Sequence, residues 1–290
     1  MYAILQRTAL ALALSGVSAG AAFAGDPSAR DWIPAPVGTN VLAVYMMGLK
    51  SHGFYDQGSR IGDSPKLNVQ GMIYRQMHYR ELAGKTVQYE LIVPGFRNTL
   101  DVPGADRDRM TGIGDVTAGA AVWLHNDPDN RFWFAWEPFI TAPTGRYHGS
   151  QADVSAGKNR WSTVQDFAIV KGFGESSFVE GVAEFEFFGN NKNYYGQTLK
   201  KDTAIRLMAL VSTNLTEKTY VGLRYRYETG GREKVNGETT VTRARNHQLA
   251  AEITHQLTDA HQVQLQYIHD LKVENGPRMR GLQFRYAYAF

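Results

Sequence analysis

Along the last ten residues, Leu282, Phe284, Tyr286, Tyr288 and Phe290 share one parity, and Gly281, Gln283, Arg285, Ala287 and Ala289 share the other. Successive residues of a strand point to opposite faces, so this segment predicts a strand with one aromatic, apolar face and one small or polar face. The same alternation recurs upstream. Val116, Ala118, Ala120, Val122 and Leu124 form one apolar parity, and Phe132, Phe134, Trp136, Pro138 and Ile140 form another. Val179, Gly181, Ala183, Phe185 and Phe187 oppose Glu180, Glu184 and Glu186. Ile205, Leu207, Ala209 and Val211, and then Val221, Leu223, Tyr225 and Tyr227, continue it.

The pattern predicts about twelve strands, near 39–49, 66–79, 85–96, 111–125, 131–141 and 160–171, then 177–189, 201–213, 218–228, 245–257, 261–270 and 278–290. Each is about long enough to cross a bilayer at a tilt. Tight turns rich in Gly, Asn, Asp and Pro, such as Glu81-Leu82-Ala83-Gly84 and Asn126-Asp127-Pro128-Asp129-Asn130, alternate with longer polar segments. Transmembrane barrels have short turns at one end and long loops at the other. The predicted fold is therefore all-β, an antiparallel transmembrane β-barrel with an even strand number and both termini in the periplasm. A periplasmic β-sandwich would not need turn lengths that alternate by side.

Two strands are less regular. Arg75 shares the parity of Leu67, Val69, Gly71 and Ile73. It is expected either near the periplasmic headgroups or after a bulge that flips the phase. Pro94 lacks an N–H, so the third strand is expected to leave its ladder there.

Residues 1–24 hold one charge, Arg7, then the apolar run Thr8-Ala9-Leu10-Ala11-Leu12-Ala13-Leu14, then small residues ending Ala22-Phe23-Ala24. That is the layout of a secretory signal peptide cleaved after Ala24. The predicted organisation is a signal peptide over 1–24, an N-terminal extended segment over 25–38, and an outer-membrane β-barrel over 39–290. Two prolines in Trp32-Ile33-Pro34-Ala35-Pro36-Val37-Gly38 bias the middle piece to extended backbone. It either stays in the periplasm or folds into the barrel mouth as a partial plug.

Composition agrees with export. No cysteine is present, and 15 Tyr, 14 Phe and 5 Trp suit the aromatic girdles of a barrel. The mean hydropathy of −0.35 would suggest a water-soluble chain, but lipid-facing and lumen-facing residues of a barrel average out. With 31 basic and 28 acidic residues the net charge is +3, which gives no case for a nucleic-acid partner.

The order of several short motifs resembles a known family. They begin with Arg30-Asp31-Trp32-Ile33-Pro34-Ala35-Pro36-Val37-Gly38-Thr39-Asn40 and Gly112-Ile113-Gly114-Asp115-Val116-Thr117-Ala118-Gly119. Ala142-Pro143-Thr144-Gly145, Asn159-Arg160-Trp161, Gly172-Phe173-Gly174 and Leu199-Lys200-Lys201-Asp202 follow. The last are Arg224-Tyr225-Arg226-Tyr227 with Gly230-Gly231, Asn246-His247 and Glu274-Asn275-Gly276. Across the mature chain this is similar to the outer-membrane transporter family "Putative MetA-pathway of phenol degradation". The resemblance implies a barrel that takes up aromatic or hydrophobic compounds, and it carries no catalytic residues.

Candidate lumen residues follow from parity. Glu137, Asp166, Glu184, Glu186, Arg206, Arg224 and Arg226 are expected to point inward. Glu184, Glu186, Arg206, Arg224 and Arg226 should form an interleaved acid–base patch, because their strands are neighbours about 4.8 Å apart. Such a patch either fills the wall or selects permeants by charge. Trp123, Trp133 and Phe139 are also expected inward, where they either pack the lumen or face an aromatic permeant. A lipid-modifying barrel enzyme is the alternative, with His247 as its nearest candidate base. No serine lies at a defensible height beside it, Ser212 and Ser162 being candidates by type only. The eight histidines show no paired zinc-ligand spacing, and no nucleotide motif is visible, so no cofactor or metal is expected. The function predicted is passive uptake of small hydrophobic or aromatic compounds across the bacterial outer membrane. The expected partners are outer-membrane lipid, the solute and the barrel assembly machinery. A structural barrel without transport is the third reading.

Overall fold

The computed structural model describes residues 26–62 and 65–290; the predicted signal peptide lies outside the described residues. Twelve long strands follow one another as antiparallel neighbours. They are β1 (Asn40–Asp56), β2 (Lys66–Leu82), β3 (Lys85–Asp101), β4 (Val116–Asp127), β5 (Phe132–Ala142) and β6 (Ser162–Phe173). The others are β7 (Ser177–Phe188), β8 (Ala204–Thr216), β9 (Thr219–Gly230), β10 (Ala244–Gln256), β11 (His261–Lys272) and β12 (Gly276–Ala289). The ring closes where β12 pairs with β1, from Val41 opposite Ala289 to Tyr55 opposite Gly276. Closure matters in lipid, because an unpaired backbone group there costs several kcal/mol.

The alternation read from the chain is the alternation of the wall. Leu91, Ile140, Phe187, Leu207, Leu223, Leu265 and Leu282 are exposed on the outer face, and their strand neighbours are buried inside. At one end the hairpins turn tightly. Ala83 and Gly84 both have positive φ (49° and 72°) between the paired Leu82 and Lys85, the two-residue turn whose twist matches its strands. Both ends of the barrel meet at this same end, where the Asn40 N–H donates to the Phe290 carbonyl at 2.9 Å.

At the other end β1, β2 and β3 are each 17 residues long, longer than a bilayer crossing requires. The long connections there form a cap. Asn191–Tyr194, Gln197–Lys201, Glu233–Val235 and Glu238–Val241 make a separate four-stranded sheet. A short 3-10 helix, Gly149–Val154, packs against it through Ala152, Tyr194, Leu199 and Val235. The period-two signal missed this sheet because its strands are only three to five residues long.

Two expectations are corrected. Arg75 is neither at a rim nor after a bulge: β2 pairs with β1 and β3 without a register shift. Leu67, Val69 and Ile73 instead face inward with it, and the lipid face of β2 is Met72 and Tyr74. The third strand does not stop at Pro94; its ladder with β2 continues to Lys66 opposite Asp101. The Pro94 carbonyl accepts the Gly114 N–H at 2.7 Å. The missing N–H therefore lies on the side where the next strand bulges, between Ile113 opposite Gly95 and Thr117 opposite Ile92.

Candidate functional site: a plugged lumen with an outer cavity

The N-terminal extended segment enters the barrel. Ser28, Ala29 and Trp32 are buried. A local turn shapes the segment: the Asp31 N–H donates to the Ser28 carbonyl at 3.2 Å, and the Ser28 N–H returns to Asp31 Oδ2 at 2.9 Å. A turn inside a closed wall must still satisfy its polar groups, and the wall supplies the partners. The Ala29 N–H donates to Glu252 Oε1 at 2.9 Å, and the Arg30 N–H donates to Glu180 Oε1 at 2.7 Å. Ser28 Oγ donates to Gln264 Oε1 at 3.0 Å, and Trp123 Nε1 donates to the Trp32 carbonyl at 2.9 Å.

Charges hold the segment as well. Asp26 pairs with Arg224 at 2.9 Å and with Arg226, and Asp31 pairs with Arg285 at 2.9 Å. The Arg30 guanidinium lies over the rings of Tyr220 and Phe178, 4.1 and 4.8 Å from their centroids. A Cβ on Gly222 would lie 2.9 Å from Ala29 Cβ, so a side chain there would crowd the plug. Residues 26–38 therefore act as the partial plug that was one of the two expectations.

Five neighbouring strands bring a row of charges to one height. Glu137 lies opposite Asp166, Asp166 opposite Glu184, Glu184 opposite Arg206, and Arg206 opposite Glu228. Arg206 pairs with Glu184 and Glu186. Arg224 and Arg226 do not join that patch: they turn to Asp26 of the plug, an acid outside the strands. Glu137 Oε1 and Asp166 Oδ1 are buried without hydrogen-bond partners. Across the lumen, Arg75 pairs with Glu90 at 2.6 Å.

On the cap side of the plug is a cavity with about 120 Å³ of room. Asp26, Arg206 and Asp166 line its plug end. Ile92, Pro94, Phe96, Phe139, Val164 and Phe188 form apolar walls, and Lys158, Arg160 and Lys201 close in from the cap side. Of the three predicted lumen aromatics, Phe139 lines this cavity. Trp123 instead anchors the plug, and Trp133 packs on Phe178 with ring centroids 6.2 Å apart. The bulge at Gly114-Asp115 aims Asp115 at the loops, where it accepts the N–H groups of Gly145 at 2.8 Å and Lys158 at 2.6 Å.

Burial and the neighbouring Arg160 charge push the Lys158 ammonium down to about 8. Higher in the cap, burial pushes the Asp153 carboxyl up to about 7, although the Tyr194 and Tyr195 hydroxyls donate to it at 3.0 and 3.1 Å. Arg160, the first residue of the predicted 160–171 strand, shares the inward parity of Asp166 but was not singled out. Lys158 lies in a loop and Lys201 in a short cap strand, where no period marks an inward face. Asp26 was missed for the same reason.

The candidate enzyme pair is not assembled among the described residues. His247 stands on the outer face, where its Nδ1 is 2.6 Å from the Tyr225 hydroxyl. Ser212 is buried inside beside Arg30, and Ser162 lines the cavity.

Comparisons with known proteins agree with this architecture. The chain is similar to the crystal structure of the COG4313 outer membrane channel from Pseudomonas putida F1, at TM-score 0.87 and 23% identity, over 91% of this chain and 100% of that one. The transport unit of the autotransporter AIDA-I from Escherichia coli matches at TM-score 0.57 and 9% identity, over 98% and 97% of the two chains. The β domain of the Bordetella autotransporter BrkA matches at 0.52 and 13%, over 88% and 99%. These likenesses establish the fold. No protein of curated function matches the sequence. A family model, "Putative MetA-pathway of phenol degradation", matches residues 51–286.

Proposed function

We propose, on the premise that the chain belongs to the "Putative MetA-pathway of phenol degradation" family, that it is a passive outer-membrane channel for small hydrophobic or aromatic compounds. The observation that carries this reading is the cavity inside the barrel, walled by Ile92, Phe96, Phe139, Val164 and Phe188 and floored by the plug. A wall-filling barrel has no use for such a space, because close packing is the default for a protein interior. The tight-turn end, where Asn40 and Phe290 meet, faces the periplasm, and the cap faces outward. The signal peptide directs export and is removed after Ala24. The assembly machinery inserts the barrel, and lipid surrounds it. A solute enters past the cap, rests in the cavity and leaves when residues 26–38 shift. No energy-coupling part or catalytic step is needed, so the protein is read as a channel and not as an enzyme.

The chain has no cysteine, so a disulfide can be introduced cleanly. Ala29→Cys with Gly222→Cys needs a shift of roughly an ångström or less to reach usual disulfide geometry. In cells whose lipopolysaccharide outer leaflet is the barrier, the oxidised pair should slow toluene entry at least about ten-fold, and added reductant should restore it. Equal entry in both redox states would sink the gating step. Entry no faster than in cells lacking the protein would favour a structural barrel.

A further inference from the structure

We propose that the outer cavity is a binding site for a single-ring aromatic carboxylate, with the ring on the apolar walls and the carboxylate against Lys158 and Arg160. The inference rests on the channel reading above and narrows its substrate class. The cavity has two chemically different parts. Phe96, Phe139, Ile92 and Val164 offer flat or branched apolar surface, and Lys158 and Arg160 bring two cations to the cap side. A pocket that is mostly apolar with a few convergent polar groups is the usual form of a small-molecule site. Its room of about 120 Å³ is several times the ~30 Å³ share of one water molecule.

Neither cation is held in an ion pair or side-chain hydrogen bond among the described residues, although Asp115 and Asp153 feel the Lys158 charge and Glu186 that of Arg160. Arg160 is buried, its Nη1 has no hydrogen-bond partner, and its guanidinium lies over the Phe188 ring at 4.8 Å. The Lys158 ammonium is in no ion pair among the described residues. The low proton affinity of that ammonium is what a positive neighbour and dry surroundings produce.

The acids in the same cavity are committed elsewhere. Glu184 and Glu186 are held by Arg206, and Asp26 is held by Arg224 and Arg226. Asp115 caps two backbone N–H groups, and Glu228 accepts the Asn246 amide at 3.3 Å. Lys201, the third cation, already pairs with Glu233 at 3.2 Å. Asp166 remains at the far, plug end. The cation at that end, Arg206, is already held by Glu184 and Glu186, so the unpaired positive charge lies at the cap side and directs the ligand's anion there. A guanidinium with a free N–H edge suits a carboxylate better than a neutral oxygen does.

The test is titration calorimetry on the full barrel in detergent, with benzoate, benzyl alcohol, benzylammonium and acetate as probes. Benzoate should bind at least about ten-fold more tightly than each of the other three. Arg160→Gln and Lys158→Gln should each weaken benzoate about ten-fold, and Phe139→Ala should weaken it as well. Heat-shifted gel migration shows which variants are folded. If an Arg160 variant fails to assemble, the Phe139 and Lys158 arms still decide. Equal binding of benzyl alcohol or benzylammonium, or no benzoate binding, overturns the proposal. Channel-dependent entry of toluene into cells with an intact lipopolysaccharide leaflet, measured separately, distinguishes the two readings. Benzoate binding without any entry keeps the site and removes the channel, whereas toluene entry without benzoate binding does the reverse.

Discussion

The lumen has two unlike walls. On β1 and β2 the inward residues are Tyr45, Met47, Leu49, Leu67, Val69, Ile73 and Met77, all buried. On β7 to β11 they include Glu180, Glu184, Arg206, Arg224, Gln248, Glu252, Gln264 and Gln266, set among fewer apolar ones such as Val182, Leu210 and Ile268, all buried. The polar wall is a network: Gln266 donates to Glu252 Oε2 at 2.8 Å, Gln264 to Thr254 at 3.0 Å, and Gln248 to Asp270 at 2.8 Å. The plug lies between the two walls. It turns Asp26, Ser28 and its backbone N–H groups to the polar wall, and its apolar side chains join the packed core. Buried polar groups need partners and apolar ones need only shape. One wall therefore orients the plug while the other lets it pack.

Breaking the polar side should have the largest effect. Asp26→Ala takes from the buried Arg224 and Arg226 the anion they share, a loss of about 3–5 kcal/mol by the usual cost of breaking a buried ion pair. The plug should unseat, read as raised conductance in planar bilayers and protease access to residues 26–38. Unchanged conductance would mean that the ion pairs do not hold the plug. Replacing Asp26, Arg224 and Arg226 together by apolar residues should recover much of the closed state.

On the apolar wall Ile73→Ala opens a cavity and should cost about 2–5 kcal/mol, while Met72→Ala one residue away, on the lipid face, should cost far less. Urea unfolding from liposomes measures both. The reverse order would put β2 back in the opposite phase. On the polar side Leu207→Arg should cost about 2–4 kcal/mol, because Leu207 faces lipid, with a matching drop in assembled protein. Normal assembly would place Leu207 inside.

The cap adds a pH dependence of its own. Burial pushes its Asp153 carboxyl up to about 7, above its ordinary 3.8. Between those values the folded cap binds more protons than the unfolded one. Its contribution is whole below about 4 and falls as pH rises through 7. Protease cleavage within 190–200 should therefore quicken from pH 5 to pH 8, and Asp153→Asn should flatten the change. Constant cleavage would show that Asp153 is not what loosens the cap. The smallest effect is expected at the rim, where Phe290 stacks on Tyr288 with ring centroids 5.3 Å apart. Phe290→Ser should cost about 0.5–1.5 kcal/mol from the lost pair and lower the yield of assembled protein in cells. An unchanged yield would remove its anchoring role.

The walls also explain which residues could be read from the chain. On β7, Glu180, Glu184 and Glu186 alternate with Val179, Phe185 and Phe187, so polarity and parity coincide and the inward face is unambiguous. On β2 the apolar parity, Leu67, Val69, Ile73 and Met77, faces the lumen, while the other parity carries Lys66, Asn68, Gln70, Gln76, His78 and Arg80 beside the lipid-facing Met72 and Tyr74, so local polarity points to the wrong face. Strand number, strand order and the inward charges Glu137, Asp166, Glu184, Glu186, Arg206, Arg224 and Arg226 were thus set by period two alone. The sequence could not say that Arg224 and Arg226 meet Asp26, which lies about 200 residues away and outside any periodic element. Nor could it bring Lys158 to the cavity that Phe139 lines, since loop residues have no face until the loops pack. Alternation is a local property written into each strand. The plug, the cap and the cavity depend on how segments that carry no period pack into and over the closed ring, and only the tertiary structure decides that.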